Sequence, residues 1–99
     1  MIRFRLAARR ELVADYRYYE KNYPGRGQRF IVAIEALLAL IESSPQLYAP
    51  LYEIDPELRS AKVPRFPYRI VFIEARGDVE VIAVAHAKRR PAYWRRRLR

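Results

Sequence analysis

The spacing of apolar residues changes period twice along this chain, and those two changes constrain the fold more than any other feature. Met1 to Leu6 alternates, with Ile2, Phe4 and Leu6 on one side and Arg3 and Arg5 on the other, the period of a half-buried strand. From Ala8 the period is helical: Leu12, Tyr16, Tyr19 and Tyr23 form one stripe until Pro24-Gly25 ends it. A second stripe of Phe30, Ile34, Leu37, Leu38 and Ile41 runs to Ser43-Ser44-Pro45. Pro45 to Pro56 holds three prolines and no period, and reads as a loop. The pattern is then extended again over Arg59 to Val63, Tyr68 to Ala75 and Val79 to Ala85.

Two helices joined by a few residues pack antiparallel as a hairpin. Gly77-Asp78 marks a two-residue β-hairpin, because glycine tolerates the positive φ such turns demand. Pro64 and Pro67 cannot donate ladder hydrogen bonds, so the segment between the first two late strands is expected to be a kinked corner. Gly25-Arg26-Gly27 follows a helix and lacks the Lys-Ser/Thr ending of a phosphate-binding loop, and reads as a turn. The order β-α-α-β-β-β predicts an α+β fold, a helical hairpin packed on one face of a mostly antiparallel four-stranded sheet, with the other face free for binding. Residues 1–99 read as a single domain with a basic tail at 88–99, where a short helix is expected after Pro91.

Composition removes whole classes of chemistry. With no cysteine, disulfides, thiol catalysis and Cys-ligated metals are excluded, and the one histidine, His86, leaves little for a His-based metal site. No cofactor or metal is expected. An apolar fraction of 52% supports a folded core. The longest apolar run, Ala36 to Ile41, falls far short of the roughly 18 residues of a membrane span. Arg3, Arg5, Arg9, Arg10 and Arg17 interrupt any signal-like stretch, so a cytoplasmic protein is expected.

The net charge of +9 is unevenly placed. Residues 1–58 carry eight basic and eight acidic side chains, whereas residues 59–99 carry twelve basic and three acidic. The whole excess lies with the late strands and the tail, an anion-seeking surface on a neutral scaffold.

Three separated segments then carry a resemblance: Arg65-Phe66-Pro67-Tyr68-Arg69-Ile70-Val71-Phe72, Val81-Ile82-Ala83-Val84-Ala85-His86, and Arg89-Arg90-Pro91-Ala92-Tyr93-Trp94. Together with Asp15 to Glu20, Pro24 to Phe30 and Ser44 to Tyr48, they resemble the RelE/ParE superfamily of bacterial type II toxin-antitoxin toxins over nearly the whole chain. The resemblance implies the same β-α-α-β-β-β fold and a cognate antitoxin, acidic and partly disordered, that wraps the toxin. It implies one of two targets. RelE-like members are metal-independent endoribonucleases, many acting on mRNA at the ribosome; ParE-like members poison DNA gyrase and are not enzymes. Phe66-Pro67-Tyr68 and the ending from His86 to Trp94 look more ParE-like. Pro64 stands where such proteins often have a further basic residue.

A ribonuclease reading assigns His86 to take the proton of a 2'-hydroxyl, Arg65, Arg69 and Arg89 to stabilise the charged transition state, and Tyr93 to protonate the leaving oxygen or stack on a base. Beside it stands a structural reading, in which His86 caps its strand and anchors the tail. Lys88, Arg89, Arg90, Trp94, Arg95, Arg96 and Arg97, with Arg99, form a candidate surface for the target or for nucleic acid. There too the aromatic residues have a second reading, as anchors of the tail on a small core. Tyr16, Tyr19 and Tyr23 read as core, Tyr18 as a partner contact, and Leu47, Tyr48, Leu51 and Tyr52 as a cover for the end of the sheet. A third reading, a non-toxic basic nucleic-acid-binding module, differs from both toxin readings in needing no acidic partner.

Overall fold

A computed structural model describes residues 1–98; Arg99 lies outside the described residues. The first strand, β1 (Ile2–Phe4), ends two residues before the alternation does, because the chain turns into the helix α1 (Leu6–Asn22) and leaves Leu6 exposed. α1 and α2 (Arg26–Ser43) form the expected hairpin. Gly25 takes φ 90 at the start of α2, and Gly27 lies so close to α1 that a Cβ there would sit 2.8 Å from the carbonyl oxygen of Tyr16. The Glu20 carboxylate crosses the gap and accepts from the backbone N–H of Gln28 (2.9 Å) and Gly25 (3.3 Å), capping α2 from its neighbour.

A 3₁₀ turn (Pro45–Leu47) leads to β2 (Pro50–Leu51), followed by β3 (Asp55–Lys62), β4 (Tyr68–Ala75) and β5 (Asp78–His86). The sheet therefore has five strands rather than four, in the order β1-β5-β4-β3-β2. All neighbours are antiparallel except β1 and β5. β2 was hidden in the loop because two residues show no period; the Arg59 guanidinium, donating to the Tyr48 carbonyl at 2.5 Å, helps dock it. The β4–β5 hairpin turns one residue earlier than expected. Ala75 pairs with Asp78, and Arg76 (φ 56) and Gly77 (φ 82) supply the two positive-φ positions of the turn. Between Val63 and Tyr68 the proline corner is present, with Arg65 at φ 67 and Phe66 turned into the core.

The helix-facing side of the sheet holds the larger core. Tyr19, Phe30, Phe66 and Tyr68 stack there edge-on and tilted, over Ile34, Ile41, Ile70, Phe72 and Val81. Tyr23 is a correction to the stripe: it terminates α1 with a non-helical backbone (φ -144, ψ 80) and is 55% exposed, since the turn that follows takes it off the helix wheel. The opposite face of the sheet is not free as expected. Leu58, Val71, Ile82 and Ala83 form a second core there, covered by Trp94, Tyr93 and Leu98 of the tail and by Leu51 and Ile54. The expected tail helix is a 3₁₀ turn, Tyr93–Leu98.

Candidate functional site

β5 carries one residue more than β4 at Ile82, a bulge opposite Val71 and Phe72, just past Val81, the last residue that β1 pairs. Two side chains satisfy the backbone there. Glu11 of α1 accepts from the Val84 N–H at 3.0 Å, and Arg97 of the tail donates to the Ile82 carbonyl at 3.1 Å. The two also bind each other, Arg97 Nη1 to Glu11 Oε1 at 2.8 Å and Nη2 to Oε2 at 3.1 Å. The Tyr93 hydroxyl donates to the same carboxylate, and the Arg89 guanidinium stands 4.0 Å from it. Glu11, whose side chain is 12% exposed, thus ties three elements together. Neither its acidity nor that of Asp15, one turn further on, stood out in the sequence, because single carboxylates beside an apolar stripe have no periodic signature.

Beside this clasp lies a cleft of about 380 Å³ that gathers Arg69, His86, Arg89, Arg90 and Tyr93, with Trp94 as a wall. Arg69 Nε donates to the buried Ser60 Oγ at 2.6 Å. Lys62 at the cleft mouth is held by the carbonyls of Val63 and Phe66. The His86 ring stands edge-on to Tyr68, centroids 4.9 Å apart, and its Nδ1 accepts from the Lys88 N–H at 3.0 Å. That bond occupies the Nδ1 lone pair, which places the proton of a neutral ring on Nε2. The Tyr93 phenol is pushed up from its ordinary range by burial and by Glu11, which suits it to holding its proton rather than donating it. Asp15, facing Tyr68, His86 and Arg89, is raised mainly by burial. Arg65, also a nuclease candidate, is not in the cleft at all; it sits on the proline corner.

Of the tail residues, Lys88, Arg89, Arg90, Arg95 and Arg96 are exposed. Trp94 is 4% exposed and packs on the second core, which corrects its reading as a stacking group and supports its reading as an anchor. Arg97 is likewise engaged with Glu11, a corrected place for a residue read as part of the open surface. No three His, Asp or Glu side chains among the described residues converge as metal ligands.

Arg65 instead lines a groove of about 620 Å³ along α2, floored by Val32, Ala33, Ala36, Leu37 and Leu40 and closed by Phe66. Arg26 and Arg29 share its rim, the Arg26 guanidinium lying 4.9 Å from the Phe66 ring centroid. Val32 and Leu40 are exposed in it, and Tyr18 on α1 is exposed as the stripe predicts.

The family described as ParE toxin of the type II toxin-antitoxin system, parDE, matches residues 2–91. The chain belongs to the ParE toxin family. A solved structure described as the chromosomal ParDE TA system from P. aeruginosa contains a chain similar to this ParE toxin, at 15% sequence identity and TM-score 0.74. The similarity covers 88% of this chain and 95% of that one, so the fold is shared across almost the whole molecule. No curated protein matches the sequence significantly. The superfamily resemblance and the α+β fold are thereby established for this ParE toxin. Among its described residues, no helix is long and apolar enough to cross a membrane.

Proposed function

We propose that this ParE toxin, acting as one domain over residues 1–99 in the bacterial cytoplasm, arrests growth by poisoning DNA gyrase and is neutralised by a cognate antitoxin. The observation that carries gyrase over mRNA is the engagement of His86 Nδ1 by Lys88 and of the Tyr93 hydroxyl by Glu11, which ties up the two groups read as the base and the acid of an RNA cleavage. The test is a supercoiling assay with purified gyrase: inhibition together with a trapped, cleaved DNA–gyrase complex is expected, and unaffected supercoiling overturns the reading.

The groove along α2 supports the antitoxin half. Its apolar floor and its rim of Arg26, Arg29 and Arg65 suit an acidic, partly disordered segment that folds as it binds.

One observation favours a ribonuclease as the second reading: Arg69, Arg89 and His86 do share a concave cleft. It predicts mRNA degradation on expression, abolished in His86→Ala and Arg69→Ala. Intact mRNA alongside full toxicity in both variants removes it.

A further inference from the structure

Trp94, Leu98, Tyr93 and Arg97 hold the last turn of the chain against the sheet and α1. The same turn directs Arg95 and Arg96 outward, and with the exposed Arg90 just before it they line an open concavity of about 460 Å³ together with Ala92 and Tyr93. None of the three guanidinium groups pairs with a carboxylate among the described residues. The Glu11 clasp anchors the turn through Tyr93 and Arg97, on either side of Arg95 and Arg96, and so fixes where these like charges stand.

We propose that this concavity binds the phosphate backbone of duplex DNA, and that Glu11 is the residue positioning it. Forked, permanently charged guanidinium groups match phosphate oxygens in pairs. Duplex DNA is favoured over a single strand because the tail offers no stacking platform. Trp94 is buried, and the Tyr93 ring is covered by the Arg89 guanidinium at 3.8 Å and flanked by that of Arg97 at 5.2 Å. An acidic protein is disfavoured because no large apolar side chain is exposed in the tail, whereas α2 exposes Val32 and Leu40. Tyr93 and Arg95 to Arg97 lie beyond the residues the family match covers, whereas Arg90 lies within them. The inference concerns the protein alone and stands apart from gyrase poisoning.

The full chain is titrated against a short labelled duplex at several salt concentrations, with the single strand of the same length and polyglutamate as competitors. Affinity is expected to fall log-linearly with salt. Replacing Arg90, Arg95 and Arg96 by Gln should lower that slope by about 2.7 and the affinity at 0.1 M salt by about two orders of magnitude. An unchanged slope overturns the site. Polyglutamate or single strand binding better than duplex overturns the choice of ligand. Glu11→Gln separates positioning from bulk charge, because removing an acid from a protein of net charge +9 strengthens diffuse attraction to DNA, whereas a lost clasp weakens binding. Weaker binding is expected, and tighter binding overturns the role of Glu11. Tyr93→Phe removes one clasp hydrogen bond without altering charge and repeats the test if Glu11→Gln does not fold; unchanged affinity there counts equally against positioning. Because no gyrase is present, a negative supercoiling result leaves this outcome untouched.

Discussion

Glu11 and Arg97, eighty-six positions apart, meet through two parallel hydrogen bonds, and each also bonds the backbone of β5 beside its bulge. One ion pair therefore joins the first helix, β5 and the tail. Its side chains are 12% and 18% exposed, so most of its charge is screened from water and its loss is felt.

Glu11→Ala leaves Arg97, the Tyr93 hydroxyl and the Val84 N–H without their shared acceptor. Urea unfolding should show a loss of about 2–4 kcal/mol, the lower part of the range reflecting partial exposure. Arg97→Ala combined with it should lose less than the sum of the two single changes. Simple additivity would show that the pair is not coupled.

Tyr68 and Tyr93 have phenol pKa values above the ordinary 10.0, in both cases chiefly through burial, with Asp15 and Glu11 adding to it. A raised folded-state value means that the folded chain keeps protons the unfolded chain releases. This contribution to stability is complete below pH 10.0 and is lost as the pH climbs above it. Phenolate absorbance should therefore show a component that appears only as the fold opens, diminished in Tyr68→Phe and in Tyr93→Phe. A component unaffected by both substitutions would contradict the assignment.

Gly27→Ala sets two effects against each other. Alanine improves helix propensity by about 1 kcal/mol. Its Cβ would meet the Glu20 side chain at 2.5 Å and the Tyr16 carbonyl at 2.8 Å, and backbone cannot step aside. The clash should win, lowering stability by about 1–3 kcal/mol in thermal or urea unfolding. A stabilised variant would mean that the helices separate more readily than their contact distance implies.

Charge reversal at Arg26, Arg29 and Arg65 tests the α2 groove. Stopped-flow association with the antitoxin should slow by about tenfold or more at low salt, with dissociation changing less. Association that ignores both the substitutions and the ionic strength would place the antitoxin elsewhere.

Most of the architecture is legible because it rests on periods that survive in one dimension. Phe30, Ile34, Leu37 and Ile41 are buried as their spacing predicts, and Tyr18 is exposed. Where an element ends, extrapolation fails: Leu6 and Tyr23 continue a stripe on paper but lie past the point where the backbone changes conformation. The hairpin was displaced by one residue because Arg76 accepts a positive φ that the sequence assigned to glycine and its successor.

Apolar periodicity, the proline corner and the uneven charge were enough by themselves to determine a helical hairpin on an antiparallel sheet with a basic ending, and their motifs pointed to the family. Tertiary structure alone decided how that ending is arranged. Exposure of Arg90, Arg95 and Arg96, burial of Trp94 and the tethering of Arg97 depend on a carboxylate that reaches the tail from α1 and on a sheet face that lacked cover. A run of arginines looks uniform along the chain; contacts between residues far apart in sequence divide it into anchors and free charges.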